Sequence, residues 1–307
     1  MCIAPQENSQ AFAHELAGPW YASGSTPSSP YLSGMDILLT VDPVNIHYIL
    51  SSNFANYPKG MEFKKIFEVV GDSIFNVDSG LWEDMRNSSH AIFSHQDSQR
   101  FWVSTSVNKL RQGLVPILEN AADKNILVDF QDLFQRFLFD TSLILMTGHV
   151  KPVFLWRLQY WIGVGVEKRL KLSSAARDTT SSVLTWFFWL LSKNPEAMNK
   201  IRQEVNKKMP RFDPADLDKL VYLHSAVCET LRLYPPVPFN HKSPAKPDML
   251  PRFQTREMDF IQWKMKTVAA EIIRNYKIKV VDGHKTEPIP SVLFRMQHGL
   301  KVNITKI

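Results

Sequence analysis

Glu229-Thr230-Leu231-Arg232-Leu233-Tyr234-Pro235-Pro236-Val237-Pro238 is the stretch that decides the fold of this chain. Glu229 and Arg232 are three apart, so on a helix they share one face and can pair. A guanidinium grips a carboxylate best through two parallel N–H bonds. The two prolines then stop the helix, because proline lacks the N–H and clashes with the preceding turn. A Glu-x-x-Arg pair by itself is most often a surface salt bridge. The continuation through Leu233-Tyr234-Pro235-Pro236, with Cys228 just before it, is much more particular.

Helices are expected on both sides of this stretch. Asp42-Pro43 starts one with a capping acid and a proline in the first turn. Others are read at 78–93, 101–122, 127–147, 173–192, 195–208 and 217–233. In 127–147 the residues Phe130, Leu133, Phe134, Phe137 and Leu138 recur at three and four. Ile261, Met265, Val268, Ala269, Ile272 and Tyr276 form another clean helical stripe. Residues 35–41 read as a strand, and 240–256 as irregular. The tail, 291–307, reads as a β-hairpin turning at His298-Gly299, with Leu300, Val302 and Ile304 alternating. The fold class expected is mainly α with a small β portion.

Composition sets the bounds. The 307 residues are 44% hydrophobic and 21% charged, which suits a globular chain with a sizeable core. The net charge of +6 suits an acidic membrane surface or redox partner. The chain has no block of like charges, so no nucleic-acid partner is expected. Its densest basic run, 200–211, reads as the solvated face of an amphipathic helix. Two cysteines, Cys2 and Cys228, exclude a disulfide framework and an all-cysteine metal site. Residues 1–30 are polar and rich in Ser, Pro and Gly, and read as a flexible lead without signal peptide or anchor helix. Asn87-Ser88-Ser89 and Asn303-Ile304-Thr305 then read as chance matches to a glycosylation pattern. The most apolar run, 183–191, is too short to span a bilayer and reads as a core helix.

Three motifs, in order, carry a family resemblance. Trp82-Glu83-Asp84-Met85-Arg86 places an indole and a guanidinium four apart on one face. Ala175-Ala176-Arg177-Asp178-Thr179-Thr180 runs into the apolar helix. Glu229 to Pro238 completes the set. Together they resemble the haem-thiolate monooxygenases, the cytochromes P450, over roughly 32–307. The resemblance implies a P450-like fold, in incomplete form, as a single domain over 31–307. It implies that Trp82 and Arg86 hold a haem propionate and that Glu229 and Arg232 lock the core behind the haem. It gives Asp178 and Thr179 the delivery of protons on the oxygen-binding face. Cofactors implied are haem and NADPH, the latter through a flavoprotein reductase partner. The substrate implied is an apolar long chain. Phe54-Ala55-Asn56-Tyr57-Pro58-Lys59-Gly60 and Val237-Pro238-Phe239 resemble plant fatty-acid and alkane hydroxylases in particular. The location implied is the cytosolic face of the endoplasmic reticulum membrane. The missing anchor helix leaves the cytosol as the alternative.

The sequence also departs from that pattern. The family holds its iron through one cysteine in a Phe-x-x-Gly-x-Arg-x-Cys-x-Gly loop, and the thiolate supplies the electronic push. Here the place before Phe260 reads Arg252-Phe253-Gln254-Thr255-Arg256-Glu257-Met258-Asp259, with no cysteine and no glycine. No metal ligand is therefore assigned. Cys228 reads as a small buried hydrophobe, and His241 as a surface residue beside Lys242. Ala176 stands where the family has glycine. Segments near 149–172 and 240–259 read as internal deletions. Three functions remain open. The first is a monooxygenase hydroxylating long-chain fatty acids or alkanes, impaired in this chain. The second is a non-catalytic remnant, from a degraded gene copy or a mis-joined gene model. The third, an unrelated helical carrier of apolar ligands, does not account for the three ordered motifs.

Overall fold

The computed structural model describes residues 2–3, 28–29, 37–40, 42–68, 71–147, 167–209, 214–250, 262–289 and 293–307. They are mainly helical. The elements in chain order begin with β1 (Cys2–Ile3), β2 (Ser28–Ser29), β3 (Ile37–Thr40), α1 (Pro43–His47), α2 (Gly60–Ile66) and α3 (Ser79–Ser94). Next come α4 (Gln96–Lys109), α5 (Val115–Lys124), β4 (Val128–Asp129), α6 (Phe130–Thr147) and α7 (Glu167–Lys193). The chain continues with α8 (Pro195–Lys208), α9 (Val221–Leu233), β5 (Asn240–His241), α10 (Gln262–Asn275), β6 (Tyr276–Val280) and β7 (Lys301–Lys306). Contacts divide these into two compact units, Met1–Ser94 with Val237–Met258, and His95–Pro236 with Asp259–Ile307. Most of the proposed deletion near 149–172 and less than half of that near 240–259 lie outside the described residues.

The first unit holds a four-stranded sheet in the order β2-β3-β1-β5. β1 runs parallel to β3 and antiparallel to β5. Two short strands therefore fall within the stretch read as a flexible lead. α1 starts as expected, with Asp42 Oδ1 accepting from Val44 N at 2.9 Å. Asp248 gathers the turns that follow α1. Its carboxylate accepts from Tyr48 Oη at 3.3 Å, Asn53 Nδ2 at 2.8 Å, Asn56 Nδ2 at 3.3 Å and Tyr57 Oη at 3.0 Å.

The second unit is built around α7. Val183, Leu184, Trp186, Phe187 and Phe188 are buried on every side. Such all-round apolarity makes a core helix, and among the described residues no helix is long and apolar enough to cross a membrane. α6 meets it with the expected stripe. Phe130, Leu133, Phe134, Phe137 and Leu138 are all buried, and Phe188 stands 5.2 Å from Phe130 and 5.6 Å from Phe134 between ring centroids. The stripe of α10 is buried as well, through Met265, Val268, Ala269 and Ile272, and continues to Tyr276 at the start of β6, while Ile261 lies outside the described residues.

The tail differs from expectation. Among the described residues, β7 pairs antiparallel with β6 and with β4, not with 293–297, and residues 291 and 292 lie outside the described residues. Val302 and Ile304 alternate as expected, but their β6 partners, Val280 and Ile278, lie 22 and 26 residues away along the chain, where local pattern carries no information. Gly299 (φ +66°) makes the entry into β7 possible. There, Asp129 Oδ1 accepts from Gln131 N at 2.9 Å and from Leu300 N at 3.0 Å. A Cβ on Gly299 would collide with that carboxylate.

Side chains close the helix ends across neighbours. Arg202 of α8 donates from Nε to Ile273 O at 2.9 Å and from Nη2 to Tyr276 O at 3.1 Å, capping α10. Arg274 of α10 returns a bond to Met209 O at 3.2 Å, beyond the end of α8. Cations at helix C-termini also suit the dipole. Glu204 of α8 caps the start of α9, accepting from Tyr222 N at 3.1 Å and Leu223 N at 3.0 Å. Burial pushes the Glu204 carboxyl up. The Lys208 ammonium and the two backbone N–H groups outweigh it and hold the carboxyl below its usual value.

Two outcomes follow from these contacts. Glu204→Ala should destabilise the chain by ~1–2 kcal/mol in urea unfolding, the loss of a helix cap and its charge-assisted bonds. A group with a lowered folded pKa stabilises above its unfolded pKa. The difference between wild type and variant should therefore be full at neutral pH and shrink as pH falls through the carboxylate range; a constant difference contradicts the cap. Gly299→Ala should cost more than Gly283→Ala. Both sit at positive φ, costing ~1–2 kcal/mol for any Cβ, but only Gly299 has a neighbour within contact range. Equal unfolding midpoints for the two variants would contradict the contact with Asp129.

Candidate functional site

Trp82 and Arg86 lie one turn apart on α3, Trp82 half-buried and Arg86 exposed. The Trp82 indole packs on Phe54, with ring centroids 4.9 Å apart. On Phe54 also rests Lys242, its Nζ 4.1 Å from the ring centroid. Lys242 is only 4% exposed, and burial lowers its pKa in spite of Asp78 nearby. Lys59 donates to Ile74 O at 3.1 Å and Val77 O at 2.9 Å. Burial brings its pKa down to about 8, with the Asp78 charge opposing. Asp78 accepts from Lys59 N at 2.7 Å and pairs with Lys64 at 3.2 Å. Three lysines thus share one carboxylate beside the Trp82 contact. Such an excess of partly dehydrated positive charge favours an anionic group. Neither Lys59 nor Lys242 stood out in the sequence as part of a site, because their burial depends on folding.

His241 is a correction. It is half-buried in β5, not on the surface, and stacks on Phe63 with ring centroids 5.3 Å apart and planes 12° apart. Burial pushes its imidazole down to about 4, so the ring is neutral at neutral pH.

In the second unit, Asp178 and Thr179 follow one another on α7. Asp178 is buried and Thr179 half-buried. Asp178 Oδ2 pairs with Arg295 Nη2 at 2.7 Å. Deeper along the helix, Thr185 Oγ1 bonds back to Ser181 O at 2.7 Å. Of the Ala176 side chain nothing is described. Glu229 and Arg232 pair in bidentate fashion, Nε to Oε2 and Nη2 to Oε1, each at 2.8 Å. The bond to Arg232 holds the Glu229 carboxyl below its usual range. Their side chains are 53% and 47% exposed, so water screens the pair. Exposed pairs of this kind contribute ~0–1 kcal/mol. Each motif pair thus lies on one helix within its own unit.

Thiolate-bound haem does not fit the residues present. Cys228 Sγ lies 3.6 Å from His224 Nε2, one turn back on the same helix. Cys2 lies in β1. The sequence between 250 and 262 contains no cysteine. Among the described residues no group of three or more His, Cys, Asp or Glu could hold a metal ion.

Comparison with known proteins places the chain. The cytochrome P450 family model matches residues 167–251, which include Asp178, Glu229 and Arg232. The alkane hydroxylase MAH1 of Arabidopsis thaliana is 42% identical, over 90% of this chain and 85% of that protein. Its alignment runs over 427 positions, more than the 307 residues of this chain. It therefore crosses stretches that the relative has and this chain lacks. Cytochrome P450 86B1 of the same plant is 24% identical, over 90% of this chain and 78% of that protein. Among solved structures, the haem domain of a cytochrome P450DA mutant superposes with a TM-score of 0.71 at 13% identity, covering 99% of this chain and 97% of that one. A second cytochrome P450, CYP102L1, gives 0.68 at 13% identity, over 90% of this chain and 93% of that one. The motif order, the helical fold and the 42% identity lead to one conclusion: the chain belongs to the cytochrome P450 family of haem-dependent monooxygenases.

Proposed function

We propose that this chain descends from an enzyme that hydroxylates long-chain alkanes or fatty acids, and that in its present form it does not catalyse that reaction. The observation that carries the second half is the absence of any cysteine where the family's iron ligand stands. Without the thiolate, haem lacks the electron donation that favours O–O cleavage. The first half is supported by the relative named an alkane hydroxylase. In that ancestral role, Trp82 and Arg86 hold a haem propionate, with the lysines around Asp78 adding positive charge. Asp178 and Thr179 serve the oxygen face, and Glu229 and Arg232 brace the core. Electrons come from NADPH through a flavoprotein reductase at the cytosolic face of the endoplasmic reticulum membrane.

The second reading is a mis-joined gene model of a working enzyme. The excess of aligned positions over residues favours internal loss in either case. Residues 149–172 and 240–259 are where that loss is proposed, within one domain over 31–307.

Incubated with haem, a plant flavoprotein reductase, NADPH and a long-chain alkane or fatty acid, the chain should form no hydroxylated product. Product above a protein-free control contradicts the proposal. Replacing 252–259 by a Phe-x-x-Gly-x-Arg-x-Cys-x-Gly loop separates the two readings. Recovered turnover marks an intact enzyme missing one segment, and continued silence marks a remnant.

A further inference from the structure

Asp178, Ser182 and Trp186 are spaced four apart and share one face of α7. Each carries one polar group that a buried helix face cannot leave unmet. All three groups meet the same two residues. Asp178 Oδ2 pairs with Arg295 at 2.7 Å. Ser182 Oγ donates to Phe294 O, and Trp186 Nε1 donates to the same oxygen at 3.0 Å.

The segment that makes these contacts is held from several sides. Phe294 N donates to Pro236 O at 3.0 Å, just beyond the Glu229–Arg232 helix, and Ile289 N donates to Arg295 O at 2.8 Å. Met296 exchanges two bonds with the Gln131 side chain of α6, each at 2.9 Å. The Phe294 ring lies 5.5 Å from Trp186 and 5.9 Å from Tyr234. Residues 293–296 therefore form a strap across this face of α7. The guanidinium is its least satisfied part, for Arg295 Nε is buried without a hydrogen-bond partner among the described residues. An arginine set into packing at that cost is placed for its charge, and the charge it meets is Asp178.

We propose that Arg295 is a positioning residue that locks Asp178 to the chain's own 293–296 strap. In this chain Asp178 then anchors a closed face instead of offering a carboxyl for proton transfer. The proton-transfer half rests on the family reading of Asp178. The lock itself rests only on the geometry.

The test uses the full chain without haem, so a failure of the family reading in haem or turnover experiments leaves it untouched. Indole N–H resonances are followed with 15N-tryptophan, Trp186→Phe identifying the Trp186 signal, and their exchange with deuterium is timed. Arg295→Gln should speed exchange at Trp186 at least 10-fold while other buried indoles change less than 2-fold. Asp178→Asn should give the same pattern, and the double variant no further acceleration. Arg295→Lys, which keeps the charge, should return exchange to within about 3-fold of wild type. An unchanged Trp186 rate in both single variants overturns the lock. So do additive effects in the double variant, or uniform acceleration of every indole, which marks general loss of stability.

Discussion

Removal of the centre of α7 from water is the constraint on which the larger unit depends. Trp186, Phe187 and Phe188 follow Val183 and Leu184 with at most 1% exposure each. Full burial of a large apolar side chain contributes roughly 1.5–3 kcal/mol, so a helix apolar all round must be enclosed all round. α6 supplies Phe130 and Phe134 on one side. Tyr234 stacks flat on Trp186 at 4.2 Å and 7° on another. The residues after Leu293 supply a third. The hydroxyl groups inside this shell turn to backbone oxygens, as Thr185 does to Ser181 O, because an unmet polar group there costs ~1–3 kcal/mol.

That enclosure bears directly on function. Asp178 stands where the apolar centre of α7 begins, and a carboxylate at such an edge needs a counter-charge or water. The fold gives it Arg295. In the first unit the balance is reversed, with three lysines around one aspartate beside the Trp82 contact. One family motif thus lies in a neutralised setting and the other in an under-neutralised one.

Much of this was legible in the sequence, for local reasons. α8 occupies the residues that Asn194-Pro195 and the apolar spacing mark, and Glu229 pairs with Arg232 as helical geometry requires. Where a contact is remote, the pattern was silent. The helix read over 101–122 begins earlier, at Gln96, and passes through a π turn at Leu110–Leu114 before Pro116, which has no N–H to continue the regular ladder. The helix read over 217–233 splits into a 3-10 segment, Pro214–Lys219, and α9. His241 and Lys242 look like surface residues until Phe63 and Phe54 fold over them. The partnership of Asp178 with Arg295 spans more than a hundred residues, and no spacing rule reaches that far.

The central claim is that a member of the cytochrome P450 family has here lost its iron ligand while keeping the surrounding motifs. The absorption spectrum of the purified chain, mixed with haem, reduced and saturated with carbon monoxide, tests that claim most directly. The account predicts either no uptake of haem or a Soret band typical of nitrogen or weak ligation. A red-shifted band typical of thiolate ligation would mean that Cys228 or Cys2 reaches the iron, and would contradict it.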